Sequence, residues 1–192
     1  MEPIYIQLED ICVHLDLMRD SATTFPNVNR PESIRTLRIW HCKYRTLTPL
    51  AQFVNLAELK IGTYPDERLD VLEHLCNLTY LTILNLPKIG DLEPLAQLTK
   101  LVSLSLATSP AWDSKGKCNI VNSLTPVAKI ASLRHLELFG VCPSDKSLSV
   151  LGKCIYLETA RFSKYPKEEV DRFYNATGAQ NQFNPKPSFI LN

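Results

Sequence analysis

At 192 residues the chain has room for one domain with a sizeable core. Its 21 basic and 20 acidic residues leave a net charge of +1, which excludes a bulk electrostatic pull toward nucleic acid or anionic membrane. No run approaches the roughly 18 consecutive apolar residues that a bilayer span requires, so a partner has to be selected by local chemistry.

The chain opens Met1-Glu2-Pro3 without a basic cluster, and Glu9, Asp10 and Asp16 interrupt the apolar residues that follow. That pattern argues against a secretory signal and for a cytoplasmic protein. Ile4, Ile6 and Leu8 alternate with Tyr5 and Gln7 as a strand does. Residues 1–33 are expected to form an N-terminal capping unit, because the first coil of a repeat array must have its apolar end covered. The six cysteines, Cys12, Cys42, Cys76, Cys118, Cys142 and Cys154, stand singly along the chain. They lack the pairing of zinc sites and the density of a secreted disulfide scaffold, so reduced and mostly packed thiols are expected.

From residue 34 onward the sequence repeats itself. An L-x-x-L-x-L spacing reads as Ile34/Leu37/Ile39, Leu56/Leu59/Ile61, Leu81/Leu84/Leu86, Leu101/Leu104/Leu106, Leu133/Leu136/Leu138 and Leu157/Ala160/Phe162, with first positions 22, 25, 20, 32 and 24 residues apart. Three, six and nine residues before each later copy lies a second series: Phe53, Leu50 and Leu47; Leu78, Leu75 and Leu72; Leu98, Leu95 and Leu92; Ile130, Val127 and Leu124; Cys154, Leu151 and Leu148. All fifteen positions are apolar. Alternate residues of a short L-x-L strand point to one side, and a period of three suits a 3₁₀-like return segment with one inward stripe. One coil cannot bury its own apolar edge, so coils stack and a parallel sheet grows along the array.

This phase of strand leucines and L-x-P-L-x-x-L returns resembles the 22-residue leucine-rich repeats of internalin-like and phosphatase-regulator-like proteins, over about residues 34 to 173. The resemblance implies an α/β fold: a right-handed leucine-rich-repeat solenoid with a parallel β-sheet on the concave face and short 3₁₀ or helical return segments on the convex face. Residues 34–173 would supply six repeats and residues 174–192 a polar tail or cap. Family members usually carry Asn three residues after the last strand leucine. Here those places hold Cys42, Tyr64, Ile89, Ser109, Val141 and Tyr165, which predicts less regular turns.

The 32-residue coil carries an insertion around Pro110-Ala111-Trp112-Asp113-Ser114-Lys115-Gly116-Lys117. Insertions in solenoids go to loops and often carry recognition, with Trp112 either an exposed anchor or a residue packed on its own coil. Val170 and Phe173 continue the return-segment phase. The tail from Asn175 to Asn184 is polar, leaving two options: a loose end, or one folded back over the final coil through Phe189-Ile190-Leu191.

If the leucines point inward, Arg38, Lys60, Asn85, Ser105, Glu137 and Arg161 face out along the middle of the concave sheet. They are flanked by Thr36, Glu58, Ile83, Ser103, His135 and Thr159 on one side and by Trp40, Gly62, Pro87, Ala107, Phe139 and Ser163 on the other. Aromatic and Arg side chains dominate interface hot spots. The candidate partner-binding set is therefore Arg38, Trp40, His41, Lys60, Asn85, Trp112, His135, Glu137, Phe139 and Arg161.

A catalytic centre is not expected. His41 and Cys42 are adjacent and would point apart in a strand, no H-x-x-x-H or C-x-x-C spacing offers metal ligands, and the six glycines form no phosphate-cradling loop. The concave cations are separated by neutral coils, unlike a phosphate-binding cluster. The expectation is a non-catalytic protein-interaction module without metal, cofactor, nucleic acid, membrane or small-molecule substrate. Its partner would be another protein, in one form a toxin or effector with this chain as its immunity protein or regulator. The alternative is a structural subunit of a permanent complex or homo-oligomer.

Overall fold

A computed structural model describes residues 13–109, 112 and 116–189. The strand expected at Ile4 to Leu8 lies outside the described residues. Among the described residues ten strands run β1 Val13–Met18, β2 Ile34–Trp40, β3 Glu58–Ile61, β4 Tyr80–Leu84, β5 Ser103–Ala107, β6 Asn119–Val121, β7 His135–Phe139, β8 Val141–Pro143, β9 Thr159–Ser163 and β10 Gln180–Asn181. Eight of them form one sheet in the order β1-β2-β3-β4-β5-β7-β9-β10, every pair parallel.

The pairing register stacks like on like. Leu37, Leu59, Leu81, Leu104, Leu136 and Ala160 are successive partners across the sheet, as are Ile39, Ile61, Ile83, Leu106, Leu138 and Phe162. Leu37, Leu59, Leu81, Leu104 and Leu136 are fully buried. The opposite wall comes from short return segments, 3₁₀ at Thr48–Gln52, Asp70–His74, Glu93–Gln97 and Ser149–Lys153 and one α-turn at Thr125–Ala128. Pro49, Pro94 and Pro126 sit in the first turn, where a fixed φ helps and the missing N–H costs nothing. Leu50, Leu72, Leu95, Val127 and Leu151 close the interior from that side. At roughly 1.5–3 kcal/mol per buried Leu-sized side chain, this double ladder is the main source of stability.

One register differs from the reading of the sequence. In the third coil the inward strand pair is Leu81 and Ile83, so the motif starts at Leu78 and its return stripe is Leu69, Leu72 and Leu75. Ile83 therefore faces the core, Leu84 sits half-exposed on the concave side, and Asn85 lies in the turn beyond β4. The cause is visible in the chain: leucines stand at 69, 72, 75, 78, 81 and 84 without a break, so a shift of three residues satisfies every apolar position.

The turns leaving the strands are more regular than the missing asparagines suggest. Arg19, His41, Asn85, Gly140 and Lys164 each follow a strand with φ between 53° and 69°, the left-handed bend that takes the chain off the sheet. Gly140 is required there, since a Cβ would lie 2.4 Å from Thr108 Oγ1. Tyr64, Leu86 and Val141, buried, fill the places where asparagine amides would sit.

The insertion leaves the sheet after β5 and returns through β6, which pairs in parallel with β8 of the next coil. Downstream of β9, the helix Lys167–Thr177 buries Phe173 and stops at Gly178, φ 71°. The return segment expected through Val170 and Phe173 is an eleven-residue α-helix.

Candidate binding surface

Three outward rows cross the concave sheet, each set by the strand register. The first, at the N-terminal ends of the strands, runs His14, Thr36, Glu58, Tyr80, Ser103, His135, Thr159. The middle row runs Asp16, Arg38, Lys60, Thr82, Ser105, Glu137, Arg161. The third, at the C-terminal ends, holds Met18, Trp40, Leu84, Ala107, Phe139 and Ser163, with Gly62 following β3. Thr82 thus occupies the middle-row place assigned to Asn85, and Leu84 the place assigned to Pro87.

The middle row is tied together internally. Arg38 Nε donates to Asp16 Oδ1 at 2.7 Å, a second guanidinium nitrogen reaches Asp16 Oδ2, and Arg38 is only 7% exposed. It is a buried structural cation rather than the free concave donor anticipated. The hydrogen bond from Arg38 holds the Asp16 carboxyl below its ordinary value. At the far end Ser105 Oγ donates to Glu137 Oε2 at 2.6 Å and Arg161 Nε sits 2.8 Å from Glu137 Oε1. Glu137 is thereby committed to its neighbours. Lys60 lies between them, its ammonium 5.2 Å from the Trp40 ring centre, with its pKa lowered by burial and then by the Arg38 charge.

The third row is where aromatic surface remains available. The Trp40 indole lies over the next coil, and Gly62 makes room for it: a Cβ there would be 3.0 Å from Trp40 Cε3. His41 meets the edge of that indole at 5.2 Å. Arg161 stands 5.0 Å over Phe139, and in the insertion Lys117 stands 5.8 Å over the half-buried Trp112. Met18 is 45% exposed at one end of the row. Trp40, His41 and Phe139 are thus carried at one edge of the sheet with Lys60 and Arg161 of the middle row against the Trp40 and Phe139 rings, while Trp112 lies in the insertion after β5. His135 is not with them: it belongs to the first row, where its Nδ1 is 2.9 Å from Thr159 Oγ1. Asn85 stands in the turn beyond β4.

The sequence reading missed Asp16 and Met18 because it missed β1. The signal was present: Leu15 and Leu17 precede Leu37 and Ile39 by 22 residues each, a further copy of the motif. The thiols divide: Cys142 is buried, Cys76 is exposed rather than packed, and Cys42, Cys118 and Cys154 are intermediate. Among the described residues no three His, Cys, Asp or Glu side chains converge to hold a metal, and no helix is long and apolar enough to cross a membrane.

No protein-family model matches the chain, and no curated protein does. Solved structures do. Internalin C2 of Listeria monocytogenes str. 4b F2365 is 26% identical with a TM-score of 0.53, the match covering 69% of this chain and 53% of that one. The fold of this chain is a leucine-rich-repeat solenoid. A second internalin of the same organism, inlF, matches over 78% of this chain and 48% of its own at 22% identity and a TM-score of 0.57. The leucine-rich-repeat chain spans about half the length of the internalins it matches. The fold is that of a protein-interaction scaffold, whose curvature presents an extended concave surface.

Proposed function

We propose that this protein is a non-catalytic binding module whose protein partner docks on the C-terminal edge of the concave sheet and on the adjoining insertion at 109–118. The carrying observation is that two aromatic and cation pairs, Trp40 with Lys60 and Phe139 with Arg161, lie along this side of the sheet, while a third, Trp112 with Lys117, belongs to the insertion that follows β5. Large rings with a charged group held against them supply contact area at low conformational cost, the chemistry of interface hot spots. Glu137 acts one step back, holding Arg161 through its carboxylate.

In its narrower form the module is an immunity or regulatory protein that holds one toxin or effector in a one-to-one complex. Affinity purification from the native host with the wild-type chain and with the double variant Trp40→Ala/Phe139→Ala tests both levels. The proposal expects a single stoichiometric partner that the variant no longer retains while still folding. Recovery of the same partner by both chains would move the contact elsewhere, and a diverse set of weak interactors would remove the immunity role. The alternative, a subunit of a permanent assembly, predicts a multimer in sedimentation even at low concentration.

A further inference from the structure

The first row of the concave sheet is not open. After β10 pairs beside β9, residues 182–189 turn and cross the face, and near the far end the Ser188 amide donates to Glu58 Oε2 at 2.7 Å while the Phe189 ring stacks on His14 at 4.3 Å. Five strand spacings of about 4.8 Å separate β10 from β3, about 24 Å, and seven extended residues from Asn181 reach about 23 Å. The segment must therefore be nearly straight. At its start Gln182, Asn184 and Pro185 share a cleft of about 480 Å³ with Ser103, His135 and Thr159.

Its sequence matches this path. Phe183, Pro185, Pro187 and Phe189 are half-buried, whereas Asn184, Lys186 and Ser188 between them are exposed. Two prolines favour the extended conformation and remove amide donors that a perpendicular crossing could not satisfy. Beneath it the row is a polar, flat floor: Thr36 is 1% exposed, with its hydroxyl 2.8 Å from His14 Nδ1, and Tyr80, Ser103 and Thr159 are buried. None of residues 182–189 is itself fully buried, so the strap is drawn from the less stable part of the fold.

We propose that the first row of the concave sheet is a recognition groove for an extended peptide with an aromatic, Pro, Pro, aromatic alternation, and that residues 182–189 are its internal occupant, displaced when a partner presents such a segment. Docking of an extended proline-rich chain against aromatic side chains is a known recognition mode, and His14 and Tyr80 supply rings on this row. This groove is separate from the Trp40 and Phe139 edge, so the two proposals fail independently.

The test uses a fluorescein-labelled peptide with the sequence of residues 182–189. It is titrated into the full chain, into a chain ending at Asn181, and into the full-length double variant Phe183→Ala/Phe189→Ala, which serves if truncation impairs folding. Because an attached strap acts at an effective concentration in the millimolar range, binding is expected to strengthen at least about tenfold when the strap is removed or weakened. A scrambled peptide that breaks the alternation should bind at least about tenfold more weakly than the native order. A folded strap-free chain that ignores the peptide, or takes the scrambled one equally well, overturns the proposal. So do dimers of the full chain that vanish on truncation, since the groove's occupant would then be a second copy.

Discussion

The two outer rows of one sheet, four residues apart along each strand, behave as different surfaces. The row through Thr36, Tyr80, Ser103 and Thr159 is small, hydroxyl-rich and covered by the chain's own residues 182–189. The row through Met18, Trp40, Leu84 and Phe139 is large, apolar and partly open. Curvature and backbone are shared, so side-chain chemistry alone divides them. A solenoid sheet can hold one strip for itself and leave the parallel strip to a partner, and the middle row insulates the two with ion pairs already satisfied at Asp16 and Glu137.

The sharpest way to break this comparison is to place the same charge at two neighbouring leucines. Leu81→Asp puts a carboxylate in the sealed interior, a cost of several kcal/mol against a total stability of about 5–15 kcal/mol, and thermal unfolding should show no cooperative native state. Leu84→Asp alters the open row and should cost less than about 1 kcal/mol. The opposite ranking would restore the register that the sequence first suggests.

A smaller effect is expected at Arg38→Ala, which removes the buried partner of Asp16 and should cost about 1.5–3 kcal/mol, the range for hydrogen bonds to charged groups. Because the folded pKa of Asp16 lies below its ordinary 3.8, the pair's stabilisation is present above that pH and is lost as pH falls through the lowered value. The difference between wild type and Arg38→Ala should therefore be full at neutral pH and shrink in acid. A pH-independent difference would mean that Arg38 acts through packing alone. Smaller again than Arg38→Ala at each site, Trp40→Ala/Phe139→Ala should lower stability by about 1 kcal/mol or less per site, since both rings keep water contact. A collapse of the melting temperature would place these rings in the core and remove them from the binding edge.

Much of the fold was legible because Leu37, Leu59, Leu104 and Leu136 repeat with return stripes at fixed phase, and burial in a stacked coil demands that phase. The third coil was not, because an unbroken three-residue leucine period carries no register information. The site was legible where it depends on single residues, as with Trp40 and Phe139. It was hidden where it depends on pairing: Arg38 reads as a free cation until β1 brings Asp16 beside it. The strap was hidden for a different reason, since nothing local in Phe183 to Phe189 tells which surface its alternation will lie on.

Hydroxyl-radical footprinting of the intact chain reads both rows at once. The account predicts rapid oxidation at Met18 and Trp40, slower but measurable reaction at Leu84 and Phe139, and protection of Leu81, Leu104 and Tyr80. Protection of Leu84 with oxidation of Leu81, or a Tyr80 as reactive as Trp40, would contradict it.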